Sequence, residues 1–270
     1  MRLKAKMKNL TLCTILITAS IAHAQTPVPP SNQSRLEFDV TSIHLSSPTQ
    51  PGFQAITARA DGAGYTASYI PVKMMIAFMY RIPARQILGG PRWLEDDRYD
   101  VEAKAAGKKY TVDELNTMYQ NMLADRFHLK FHIETKEANA YVLTLDKNGS
   151  KMKVNDQPQS YNTPITYSGT GIMNGARVPM PYFCWILGQI LQQDERPVVD
   201  MTGLSGYYDF TLSYLPQNLP PEVRNNLSQE ALDRPSIFEA LKEQLGLKLT
   251  AQRGSVRYLV IDHIERPTGN

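Results

Sequence analysis

The sequence predicts an α+β fold built from two related units, each with two helices packed on a small, mostly antiparallel sheet. Three observations lead there. An order of apolar helix, turn, Tyr-Asp strand, capped helix and alternating strand occurs twice along the chain. In both copies a capping box opens the second helix, Thr111 with Glu114 and Ser236 with Glu239. The 270 residues are 42% hydrophobic and 20% charged, enough to bury one large core or two ordinary ones.

The chain begins with basic residues between Met1 and Asn9, followed by an apolar run from Leu10 to Ala22. Ala22-His23-Ala24 then presents the small-x-small pattern that signal peptidase reads. The apolar run is shorter than the ~20 residues a helix needs to cross a bilayer. Residues 1–24 are therefore expected to be a cleaved signal peptide, and the product to be exported, periplasmic or secreted. The mature chain is expected to have no transmembrane span. Cys13 leaves with the leader, so Cys184 stands alone and no intramolecular disulfide is available. The formal charge of +3 also belongs to the leader. Removing Arg2, Lys4, Lys6 and Lys8 from the 29 basic residues leaves 25 against 26 acidic ones. A near-neutral chain argues against nucleic acid as a partner.

Residues 25–34 are Pro-rich and polar and read as a flexible tether. The first unit spans 35–147. Leu36 to Leu45 reads as a strand, and Ser46 to Gly64 as loop because of Pro48, Pro51, Gly52, Gly62 and Gly64. A strand from Tyr65 to Ile70 runs into Pro71, suited to a helix start, and Val72 to Tyr80 is apolar on nearly every side. The Gly89-Gly90-Pro91 turn leads through Trp93-Leu94 to a strand at Arg98 to Ala103. After the capping box, Leu115, Met118, Tyr119, Met122 and Leu123 form a stripe at helical spacing. Phe127, Leu129, Phe131 and Ile133 then alternate with polar residues as a half-buried strand, with Tyr141 to Leu145 as its hairpin partner.

Residues 148–171, rich in Asn, Gln, Ser, Thr and Gly, read as a linker, and 172–267 as the second unit. Val178-Pro179-Met180 answers Ile70-Pro71-Val72 and opens an apolar helix through Trp185 to Leu191. Pro197-Val198-Val199 is a short strand, and Tyr208-Asp209-Phe210 matches Tyr99-Asp100-Val101. A helix follows Ser236, with Ile237, Ala240, Leu241 and Leu245 inward, and Leu247 to Leu249 pairs with Tyr258 to Val260 as a final hairpin. Offsets between the copies grow along the chain, which places an insertion near 215–234; residues 268–270 are a tail.

Several blocks carry a resemblance. They are Gly90-Pro91-x-Trp93-Leu94 with Asp97-Arg98-Tyr99-Asp100-Val101, then Arg196-Pro197-Val198-Val199-Asp200 through Tyr208-Asp209-Phe210, and the closing Val260-Ile261-Asp262-His263. Together they resemble a family of uncharacterised exported proteins expanded in soil Acidobacteria. In that family a similar region is sometimes joined to a metallopeptidase resembling the beta-lactam sensor, so the resemblance implies a sensory or interaction role in the envelope. It brings no catalytic residues with it. The second unit is also similar to the short N-terminal domain of secretins and TonB-dependent receptors, which implies a protein-interaction module; the insertion before Ser236 departs from that pattern.

Chemistry is harder to place. Ser150 and Lys153 match a Ser-x-x-Lys spacing, but in a polar linker and without the accompanying elements. Cys184 lies among Phe183, Trp185 and Ile186, where cysteine behaves as a small core residue. His128 and His132 would share a metal on a helix, whereas on a strand four residues span roughly 13 Å. Glu95-Asp96-Asp97 and Asp194-Glu195 read as solvated turns or local ion pairs beside Arg92 and Arg98. No cofactor or metal motif is present in the sequence.

The leading expectation is thus a non-catalytic binding or interaction module, without cofactor or metal, whose partner is an envelope protein, a small molecule or a peptide. A cleft between the units is the expected place for a ligand. Met74, Met75, Phe78 and Met79 could supply an adaptable groove, with Trp93, Tyr99 and Tyr208 as further binding candidates. The rival is a cell-envelope hydrolase using Asp96, Asp97, His128 and Asp200.

Overall fold

The computed structural model describes residues 35–47, 55–157, 161–191 and 196–267. The expected leader, tether and tail, and the acidic pair Asp194-Glu195, lie outside the described residues.

Strand β1 (Val40–Leu45) is followed by β2 (Ala55–Ala58) and β3 (Gly64–Pro71). Pro71 closes β3 in extended conformation and serves as the N-cap of α1 (Val72–Tyr80), a helix buried on most sides. β4 (Ile87–Gly89) and the single turn α2 (Trp93–Asp96) lead to β5 (Arg98–Lys104). There Tyr99, Val101 and Ala103 face inward and alternate with exposed residues, the period expected of a half-buried strand. Helix α3 (Val112–Arg126) opens on the Thr111–Glu114 capping box, both bonds of which are made, and buries the predicted stripe. It ends with His128 in left-handed conformation, φ 52°, and the Leu129 N–H donating back to the Leu123 carbonyl.

A long β6 (Lys130–Leu145) follows, then β7 (Lys153–Val154), β8 (Ile165–Gly169) and β9 (Ile172–Pro179). Pro179 caps α4 (Met180–Ile190), with Pro181 in the first turn where its missing N–H costs nothing. β10 (Val198–Asp200) and β11 (Tyr207–Ser213) come next. Two short helices, α5 (Pro221–Asn225) and α6 (Gln229–Leu232), occupy the expected insertion. The second capping box opens α7 (Ile237–Ala240), which passes into a π-helical turn over Leu241–Leu245. A long β12 (Leu247–His263) ends the fold.

The fold is mixed α/β: seven helices, among the described residues, pack on three mostly antiparallel four-stranded sheets. One sheet has the order β1-β5-β3-β2 and another β7-β11-β9-β8. The third, β10-β6-β12-β4, pairs β6 and β12 antiparallel at its centre and carries a short parallel strand on each edge.

This third sheet corrects the predicted hairpins. Tyr141–Leu145 does not fold back on the residues before it; β6 runs straight through, and so does β12. The segment Glu134 to Ala140 contains no Gly or Pro with which to turn. The two strands pair with each other instead, from Leu247 opposite Leu145 to Ile261 opposite Phe131. At about 3.3 Å per residue, each spans roughly 50 Å, long enough to serve two cores.

Two hydrophobic cores result. The first is built around Met75, Ile76, Leu115, Tyr119, Leu123 and Phe127 and is completed by Leu259, Ile261 and Ile264 from the end of the chain. The second surrounds Met173, Phe183, Leu187, Leu212 and Leu241 and is completed by Tyr141 and Leu143 from β6. Each core therefore takes strand residues from both halves of the sequence. The stretch 148–171, expected as a linker, carries β7 and β8 and contributes Met152 and Ile165 to the second core. Part of the expected loop 46–64 forms β2. Among the described residues no helix is long and apolar enough to cross a membrane.

Candidate functional site

The end of α1, the start of α4 and the bulged strands meet around a cavity of about 310 Å³. One wall comes from the first half of the chain, with Ile56 and Ala58 of β2, Tyr65 of β3, Phe78 and Arg81 at the end of α1, and Asp113 and Asn116 of α3. The other comes from the second half, with Ala176, Arg177 and Pro179 of β9, Tyr182 and Trp185 of α4, and Tyr207 of β11. Asn155 and Tyr161 close one side.

The aromatic walls touch edge to face. Phe78 meets Trp185 with ring centroids 5.9 Å apart, joining α1 to α4, and Tyr182 lies 5.7 Å from Trp185. Burial pushes the Tyr182 phenol up to about 12, so it is a neutral hydroxyl at ordinary pH. The Tyr65 hydroxyl donates to Asn116 Oδ1 at 2.6 Å, and burial also holds its phenol above the ordinary range. The indole N–H of Trp185 is buried without a hydrogen-bond acceptor.

Two arginines supply the charge, and both sit in left-handed backbone. Helix α1 runs out at Arg81-Ile82-Pro83, where Pro83 keeps Ile82 from continuing the helix, and Arg81 takes φ 52° at the cap. Its guanidinium stands 3.7 Å from Asp113, a longer separation than a direct hydrogen bond. Arg177 has φ 53° at an irregularity in the β9–β11 register. Its backbone N–H donates to Asp209 Oδ1 at 2.8 Å, and the same carboxylate accepts the Asn155 side-chain amide. These bonds, the Arg177 N–H first, hold the Asp209 carboxyl below the usual carboxylate range. The Arg177 guanidinium lies over the Tyr207 ring at 4.3 Å and donates to the Asn155 carbonyl at 3.1 Å.

Of the predicted binding residues, Phe78 lines this cavity. Met75 and Met79 point into the first core, with Met74 partly buried against it. Tyr99 is in the same core, edge-on to Phe127, while Trp93 packs at its border beneath the Arg266 guanidinium. Tyr208 belongs to the second core and donates its hydroxyl to the Ser205 carbonyl.

The hydrolase candidates each hold a local partner outside the cavity. Asp96 pairs with Arg92, and Asp97 accepts Arg266 Nε at 2.8 Å. His128 caps α3, 3.8 Å from Glu265, and Asp200 accepts the N–H and hydroxyl of Thr202. Cys184 is buried, and that burial pushes its thiol up, away from the thiolate a nucleophile needs. His132 bridges Asp262 at 2.8 Å and Glu134 at 3.3 Å on the solvent side of the central sheet. Among the described residues no three His, Cys, Asp or Glu side chains are grouped to hold a metal ion.

The residues that sequence reasoning passed over are Arg81, Arg177, Tyr182 and Trp185. Two signals could have found the arginines: a helix stop that uses Arg in place of Gly, and a charged residue directly before the Val178-Pro179 helix start.

A two-core α+β protein with an aromatic, arginine-bearing cleft is the class that fold and site define. The family described as "Protein of unknown function (DUF3738)" matches residues 73–264, most of the described chain, and the chain belongs to that family. No match was found among curated proteins or solved structures.

Proposed function

We propose that this protein is a binding module of the cell envelope, exported by its leader, and that its ligand occupies the cleft between the two cores. The single observation that carries this reading is the cavity itself. Its volume of about 310 Å³ is of the size that encloses a small molecule, and apolar aromatic walls with a few placed polar groups are the chemistry of recognition.

The scaffold reading supports it. The sheets β1-β5-β3-β2 and β7-β11-β9-β8 share one order of strands, and in each a helix starts at a proline following a strand bulge. We read these as two copies of one unit that exchange their last strands, β6 and β12, so that a cleft arises where the copies face each other. The envelope location rests on the basic, apolar and Ala-x-Ala order of residues 1–24.

A thermal-shift screen of small molecules tests the proposal, repeated on an Ala176→Trp variant whose added indole fills the cleft. Stabilising compounds are expected on the native chain and lost on the filled one. Compounds that stabilise both equally would sink the cleft as the site. Cell fractionation with N-terminal sequencing tests export, with a new terminus at Gln25 as the expected result and a cytoplasmic, uncleaved chain as the contrary one.

A further inference from the structure

Resting on the cleft as binding site, we infer that its ligand is a small monoanion with a flat apolar body. The lining sets two guanidiniums, Arg81 and Arg177, against one carboxylate, Asp113. The Arg177 guanidinium touches a carbonyl oxygen and an aromatic face, neither of which carries a formal charge. The nearby Asp209 carboxylate acts on it at longer range, but that carboxylate is outside the lining, is bonded to the Arg177 N–H and the Asn155 amide, and is shared with Lys153. Arg81 is shared with Asp113 only at 3.7 Å, and the Asp113 side chain is 68% exposed to water. The cavity thus offers a surplus of positive charge to whatever enters it, and an anion supplies what the guanidiniums lack.

The apolar body has its own place. Phe78 and Trp185 form an edge-to-face corner against Ile56 and Tyr182, a shape that accepts an aromatic plane.

A matched probe pair tests this. 8-Anilinonaphthalene-1-sulfonate and N-phenyl-1-naphthylamine share one aromatic body, and only the first carries an anion. In a Trp93→Phe background, Trp185 is the sole indole of the chain, so energy transfer from it reports occupancy of the cleft. The sulfonate is expected to bind about tenfold or more tighter than the uncharged amine. Arg177→Gln, and separately Arg81→Gln, should shrink that preference while circular dichroism stays native. If both probes bind the cleft equally, or if neither variant changes the preference, the anion inference is overturned and the binding reading survives. If neither probe reaches Trp185 while the filled variant behaves as the native chain, both readings fall.

Discussion

Oδ1 of Asp209 accepts the backbone N–H of Arg177 at 2.8 Å, and Oδ1 of Asp100 accepts that of Tyr69 at the same 2.8 Å. Tyr69 and Arg177 are both left-handed, at φ 50° and 53°, and each lies two residues before the proline that caps the next helix. The Tyr-Asp pairs of β5 and β11 are thus bulge clamps: the aromatic fills a core, and the aspartate holds the neighbouring strand in a conformation it would otherwise leave. At one clamp the held residue is a cleft arginine.

Asp209→Ala should cost roughly 1–3 kcal/mol, because it strands the Arg177 N–H and frees Asn155. The folded carboxyl is held below its unfolded value, so its stabilisation is complete above the unfolded value and disappears as pH falls through the folded one. Urea melts of native and Asp209→Asn chains should therefore differ at neutral pH and converge in acid; a gap that persists in acid would contradict the clamp.

The helix caps offer a matched pair. Gly246 ends the π turn at φ 69°, and an added Cβ would stand 2.0 Å from the Gly149 carbonyl oxygen. Gly246→Ala should cost more than about 1 kcal/mol. His128 holds the corresponding cap of α3 with a side chain already in place, and His128→Gly should stay within about 1 kcal/mol of native by denaturant melts.

Thr111→Ala and Ser236→Ala each remove a capping-box acceptor and should each cost about 1 kcal/mol. The two helices pack in different cores, so the double variant should show the sum of the two losses in a denaturant titration.

Because each core needs strand residues from both halves, a fragment ending at residue 147 should remain unfolded by circular dichroism. Mixing it with the complementary fragment should restore structure. Leu259→Ala, removing a fully buried side chain of the first core, should cost about 2–5 kcal/mol and lower one shared transition rather than split it. Two separate transitions would show that the cores fold independently.

The His132 ring should titrate above the ordinary histidine value, raised by its bonds to Glu134 and Asp262. That raised affinity for a proton favours the folded state at low pH, and the benefit is lost as pH rises through the folded value. Asp262→Asn should move the NMR titration midpoint down; an unmoved midpoint would argue against the pair in solution.

Much of the local structure was legible. The Thr111 and Ser236 caps, the alternation of β5 and the stripe of α3 are set by neighbours a few residues away, and a linear pattern records those interactions directly. The cleft was legible only as a location between two halves, with Phe78 the one candidate that faces it.

The amino-acid order by itself determined the α+β class, the paired capping boxes and which faces of the helices go inward, because short-range sterics and burial fix these. Tertiary structure decided that β6 and β12 run past their own cores and pair across the molecule, and that Arg81, Arg177 and Trp185 converge on one cavity. Alternation states which face of a strand is buried and is silent on which strand lies beside it. That choice is made by the burial gained when the whole chain packs, and no stretch of sequence carries it alone.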